Sequence, residues 1–414
     1  MLGADKGRPM LRARPVRETI MPALDGMRIL DMTQYEAGTS CTQALAWMGA
    51  DVVKVEAPGV GDPGRWTAGH DDYFWNWNAN KRSIALNLRS PEGRQLLLDL
   101  LPRFDVFVEN YGPGVIERLD IEYETLKAVH PSIIYAQIKG FGNSGPYSNY
   151  LAYDMSAQAA AGTFSVTGQA DGPPTLPGVT IGDSGTGVQL GMAILAAYVQ
   201  KLRTGEGQSI EISMQEAVTY FMRTRIAHGG DWGRRVVPRT GSSIGAAPSG
   251  LYPCKPGGPN DYLFILTVTA PHIDRFFMAI ERPDLVTDER FAGDAARFQN
   301  SDALHDEIEK WTRERTKQEA MKHLGEHGVP CSATLDTTDL FEDPHLNERG
   351  FVHTFEHPIR GEVRMLGFAP RMSESAVPIE PPPDLGQHTD SVLAEELGLS
   401  PERLKALREA EAIA

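Results

Sequence analysis

Between Met27 and Ile138 short apolar runs of strand character alternate with segments of helical periodicity, and this alternation constrains the fold more than any other feature of the chain. Met27–Met32 reads as a strand, Ala37–Met48 as a helix, Asp51–Glu56 and Ser83–Leu88 as strands. Ser90, Pro91 and Glu92 then open a helix that runs through Leu101, with cap and first-turn proline in the expected order. Asp105–Glu109 and Ile133–Ile138 complete the series. Strands that alternate with helices need crossover connections, so the pattern predicts an α/β fold with a parallel sheet covered on both faces.

At 414 residues the chain exceeds one ordinary core, and two domains are expected. The pattern changes after about residue 228. Gly229–Gly258 is rich in Gly, Ser, Pro and Arg and reads as a connection with a mobile loop. Tyr262–Val268 reads as a strand followed by helical stretches through Glu326, which makes residues 242–335 a smaller α+β unit. Val377–Pro383 reads as an extended linker, and Thr389–Leu397 and Pro401–Ala412 have helical periodicity.

Charge and composition exclude several classes. A net charge of −15 argues against general nucleic-acid binding and against a basic membrane-surface protein. No apolar run has the length of a membrane span. Cys41, Cys254 and Cys331 lack paired or metal-ligand spacing, and the eleven histidines form no ligand set, so a reducing compartment, the cytoplasm, and no metal site are expected. Residues 1–22 carry five basic side chains without a signal-peptide core and read as a loose N-terminal arm or an over-extended start, with an organellar presequence as the alternative. The first strand-to-helix turn, Thr33–Gly38, lacks the G-x-G-x-x-G fingerprint, which removes the main support for a nicotinamide or flavin cofactor.

The chemistry-bearing stretch is Gly182-Asp183-Ser184-Gly185-Thr186-Gly187, ahead of the apolar helical segment Val188–Leu202. A carboxylate among glycines at a helix mouth is placed for nucleophilic attack, and it is equally a common helix cap. The segment is not the G-x-S-x-G elbow, because Thr186 stands at the final glycine position. Loops after the strands, Tyr35–Ala37, Asn110–Gly114 and Lys139–Gly142, are candidates for one cleft outside the carboxyl ends of the sheet, and Arg89 and Arg118 are either phosphate contacts or solvated surface residues.

Taken in order, these segments resemble the class III CoA-transferases of the CaiB/BaiF type, through Gly49–Glu56, Asn80–Ile84, Val108–Gly114 and Gly182–Ser184 above all. The resemblance runs from Leu24 to Asp390 and implies a Rossmann-like large domain over residues 23–228, a linker and small domain over 229–335, and a return segment over 336–414 that completes the large domain. It implies an interlocked homodimer with no permanently bound cofactor, acting on acyl-CoA and a small carboxylic acid. Asp183 is then the nucleophile that forms a mixed anhydride and next an aspartyl-CoA thioester. Glu36, Tyr153, Asp154, Gly182, Ser184 and Gly245 line the active site. CoA contacts fall on Glu36 and Ala37, on Leu86, Asn87, Leu88 and Arg89, on Asn110, Tyr111 and Gly112, on Arg118, and on Leu151 and Ala152.

Three departures set the expected substrate pair apart from formyl-CoA and oxalate. Glu36 stands where formyl-CoA transferases carry glutamine, Ala57 replaces a basic CoA contact, and Gly245–Gly250 is a degraded form of their four-glycine loop. Arg223, Arg225, Arg234, Arg235 and Arg239 form either a dicarboxylate contact or a solvated basic loop. Two rival readings stand beside it: an acyl-CoA racemase or isomerase of the same fold, whose histidine position is Tyr153 here, and, from a different class, a CoA-binding or assembly protein without turnover.

Overall fold

The computed structural model describes residues 21–242, 248–357 and 360–414. The N-terminal arm, apart from its last two residues, and Gly245 lie outside the described residues. The first five strands are β1 (Arg28–Met32), β2 (Asp51–Glu56), β3 (Arg82–Ala85), β4 (Val106–Glu109) and β5 (Ile134–Lys139), joined by β6 (Ser209–Ser213). They form one parallel sheet in the order β3-β2-β1-β4-β5-β6. The parallel sheet that the alternation predicts is therefore present. Strand β6, an edge strand of alternating Ile and polar residues, is an addition to it.

The crossovers carry α1 (Ala37–Ala46), α2 (Asp72–Trp77), α3 (Pro91–Leu100), α4 (Val115–Leu119), α5 (Tyr123–Val129), α6 (Asp154–Ala160) and α7 (Ser184–Thr204); α8 (Met214–Phe221) follows β6. Ser90 caps α3 through the Gly93 N–H, with Pro91 in the first turn, as the sequence predicts. Helix α7 begins at Ser184, four residues ahead of the predicted Val188, because glycines 185 and 187 belong to its first turn.

The strands bury both faces, so successive side chains feed two cores. Leu30, Met32, Val53 and Val55 face one core with α3, α5 and the chain's last two helices, through Leu393, Leu404 and Leu407. Ile29, Val52, Val106 and Val108 face the other, with α1 and α7, through Cys41, Leu45, Leu190 and Ile194. The backbones of α1 and α7 approach closely, since a Cβ on Gly187 would stand 2.1 Å from Ser40 Oγ and 2.4 Å from the Ala37 carbonyl.

A third core belongs to an antiparallel three-stranded sheet, β7 (Gly250–Pro253), β8 (Tyr262–Ile265) and β9 (Cys331–Ala333), with helices Ala270–Ala279, Ser301–Thr312 and Lys317–Glu326 around it. Beyond it β10 (Val352–His357) and β11 (Gly361–Leu366) pair antiparallel, and the chain then returns to the first sheet.

Candidate active site

The strand order reverses between β1 and β4, and the loops that leave their carboxyl ends open a crevice there. Two reciprocal hydrogen bonds tie these loops: the Gln34 N–H donates to Asn110 Oδ1 at 2.8 Å, and Asn110 Nδ2 donates to the Gln34 carbonyl at 2.8 Å. Gln34 Nε2 also donates to the Tyr111 hydroxyl at 2.9 Å. Gln34 and Tyr111 line two cavities at once. One, of about 680 Å³, lies over β1–β3 against Ala57, Leu86, Leu88 and Arg89. The other, of about 160 Å³, holds Asp183, Tyr153 and Ala37. Together they make a groove that runs from the β3 end to Asp183.

Asp183 stands at the N-cap position of α7, yet its side chain makes no capping hydrogen bond. Its backbone is already helical, and its N–H donates to Asp154 Oδ1 at 3.0 Å. Structural duty at the helix mouth thus falls to Asp154, and the Asp183 carboxylate is released to the cavity. Gly182 makes the approach feasible: a Cβ there would lie 2.6 Å from the Asp154 carbonyl and 2.7 Å from its Oδ1. Gln158 Nε2 donates to Asp154 Oδ2 at 2.8 Å and fixes that carboxylate from its own helix.

Glu36 is the third acid. It is 2% exposed, and its Oε1 accepts from Thr180 Oγ1 at 2.5 Å while Oε2 accepts from the Tyr73 hydroxyl at 3.1 Å. Burial, with the charges of Glu36 and Asp154 beside it, pushes the Asp183 carboxyl up to about 7. Burial also raises Glu36, against the hydrogen bonds from Thr180 and Tyr73. A helix mouth alone would favour the Asp183 anion. Burial and two neighbouring acids outweigh it here.

Below the crevice lies a buried ionic lattice. Lys81 Nζ donates to Asp31 Oδ2 at 3.0 Å, to Thr42 Oγ1 at 2.8 Å and to Asn78 Oδ1 at 2.9 Å. Lys54 Nζ donates to the Thr33 carbonyl at 2.6 Å and pairs with Asp62 at 2.8 Å. Asp62 Oδ1 in turn accepts the Tyr35 N–H at 3.0 Å. Arg65 holds Glu56 with two bonds of 2.7 Å. The lattice fixes the Thr33–Glu36 turn, in which Tyr35 has a φ of 57°, and so sets where Glu36 points.

The residues expected at the site divide as follows. Ala37, Asn110, Tyr111, Gly112, Leu151, Ala152, Tyr153 and Asp183 surround one cavity, and Leu86, Asn87, Leu88, Arg89 and Tyr111 the other. Glu36, Asp154 and Gly182 meet Asp183 through the contacts above. Ser184 donates its hydroxyl to the Thr180 carbonyl at 2.9 Å and lines an apolar cavity on the outer side of α7. Arg118 is exposed on α4, outside the wall that Val115 and Leu119 of that helix supply. Arg239 is committed to the carbonyls of Gln169 and Gly172, and Arg223 lies over the Tyr220 ring. Tyr73 and Thr180 were not legible in advance. The dense aromatic run Tyr73–Trp77 was the available signal for the first, and Thr180 carried none.

Fold and site make this a doubly wound α/β protein whose crevice ends on an uncapped carboxylate. The profile of CoA-transferase family III matches residues 24–389, and the chain belongs to that family. It is 40% identical to a formyl-CoA:oxalate CoA-transferase of Streptomyces coelicolor, over 93% of this chain and 98% of that one. It is 39% identical to a protein of the same name from Rhodopseudomonas palustris, over 94% and 97%. A crystal structure of a CaiB/BaiF family protein from Brucella suis superposes with a TM-score of 0.81 at 30% identity, covering 91% of this chain and all of that one.

Proposed function

We propose that the protein moves CoA from an acyl-CoA thioester to a small carboxylic acid, with Asp183 as the nucleophile. The observation that carries this reading is the uncapped Asp183 carboxylate at the end of the groove. Asp183 attacks the thioester carbonyl, the C–S bond breaks, and CoA thiolate leaves a mixed anhydride. The thiolate then attacks the Asp183 carbonyl, the donor acid departs as its carboxylate, and an aspartyl-CoA thioester remains. The acceptor carboxylate attacks that thioester, and the same steps in reverse return Asp183.

The electrostatics favour the first step. A buried carboxylate among like charges is a stronger base than an exposed one, and acylation removes its charge from the cluster. Glu36, Tyr153, Asp154, Gly182 and Ser184 are the proposed lining of the reacting centre. CoA would lie along Leu86–Arg89, Asn110–Gly112, Leu151 and Ala152, as a substrate rather than a resident cofactor. The names of the relatives make formyl-CoA and oxalate the first pair to assay, beside other mono- and dicarboxylates, given Glu36 in the site.

Asp183→Asn removes the nucleophile and is expected to lower transfer by on the order of a thousandfold or more. Acyl-CoA exchange followed by chromatography measures it. A variant that keeps full activity would end the reading.

A further inference from the structure

The wall of the larger cavity is closed by the end of the chain. Helix Pro401–Glu409 packs its Leu404 and Leu407 into the core beneath the sheet. Glu411, with a φ of 55°, turns the chain out of that helix and back toward β3. There the Asn87 N–H donates to the Ala412 carbonyl at 2.9 Å, Asn87 Nδ2 donates to the Glu411 carbonyl at 3.0 Å, and Leu86 and Ile413 form an antiparallel bridge. The Leu86–Arg89 wall is therefore held by the tail, and the tail brings Arg408 to the same cavity.

The charges on that wall are unevenly engaged. Glu56 is buried and satisfied by Arg65. The Arg89 guanidinium has no hydrogen bond or ion pair among the described residues, and only its backbone N–H is used, toward Asn87 Oδ1. Arg408 pairs with Asp390 at 2.6 Å, but both side chains are about half in water, where such a pair holds its partner weakly. Glu411 is the exposed acid of this wall. The same cavity is lined by apolar Val55, Leu88 and Ile413. One unengaged guanidinium and one held only by a solvent-exposed pair, on a cavity with apolar lining, suit a phosphate attached to a flat or aliphatic group.

We propose that Arg408, together with Arg89, binds a phosphate at the nucleotide end of CoA, so that the C-terminal helix is part of the substrate site. This rests on the transferase reading. Binding of free CoA to the full chain by titration calorimetry tests it. Arg408→Gln is expected to weaken CoA roughly tenfold, and Arg408→Lys, which keeps the charge, to stay within roughly threefold. Glu411→Gln, which removes a like charge from beside the phosphate, is expected not to weaken it. Arg408→Met preserves the stem packing and replaces Arg408→Gln if circular dichroism shows that variant unfolded.

3′-Dephospho-CoA separates the two phosphate sources. If Arg408 meets the 3′-phosphate, the variant and the wild type bind the dephospho compound equally. If it meets the diphosphate, the variant binds both compounds more weakly. Wild-type affinity for CoA in folded Arg408→Gln or Arg408→Met overturns the proposal. A wild-type protein that binds no CoA overturns the transferase reading itself.

Discussion

Asp183 is held where its charge is costly, and that cost has a sign in both activity and stability. A nucleophile whose carboxyl sits near 7 is half protonated at neutral pH, so the transfer rate should rise with pH through about 7 and level off above it. A pH–rate profile flat from 5 to 8 would contradict this. The same shift destabilises the fold. Between the ordinary carboxyl value and about 7 the folded chain binds the proton more tightly than the unfolded chain, so this residue's contribution falls as pH rises through that window. Asp183→Asn should therefore be the more stable protein at pH 8, by about 1 kcal/mol, and equal to wild type near pH 4, read by urea unfolding. The hexapeptide around Asp183 was visible in the sequence, but its role was divided between cap and nucleophile. What separates them is Asp154, 29 positions away, which takes the Asp183 N–H. No local pattern reports that.

At the scale of elements, the site depends on turns fixed from beneath. Asp31 in β1 would be raised by its burial, but Lys81 and Lys54 more than reverse that and hold it down at about 2. Its contribution to stability is complete above the ordinary carboxyl range and is lost only as pH falls toward 2. Removing Lys81 leaves that carboxylate buried with one partner fewer. Lys81→Met should cost about 3 to 5 kcal/mol in urea unfolding, whereas a cost below about 1 kcal/mol would show the lattice to be dispensable. The strands over residues 28–139 and the cap of α3 were legible because periodicity and capping are local. β6 and the β10–β11 hairpin were not, being short and partly exposed. β3 ends at Ala85, short of the predicted Leu88, because the following residues turn to pair with the tail.

Over the whole molecule, the chain leaves the parallel sheet, builds the third core and returns, and its last residues complete one of the sheet's two cores. That return depends on pairings across some three hundred residues, which no windowed reading detects. The outer side of α7 and α8 presents Val188, Met192, Tyr220 and Phe221 to water around an apolar cavity of about 880 Å³. Contiguous apolar surface of this kind marks an interaction site. A second copy of the chain is the proposed occupant, in line with the interlocked homodimer that the family resemblance implies. Light scattering should give twice the chain mass, and Met192→Glu should weaken the association; a monomer at micromolar concentration would rule out the dimer.

The proposed transfer turns on covalent acylation of Asp183. Incubating the protein with an acyl-CoA and hydroxylamine, then digesting it for mass spectrometry, tests this directly. An Asp183 hydroxamate should form only when the acyl-CoA is present. Turnover of acyl-CoA and acceptor acid with no modification at Asp183 would contradict it.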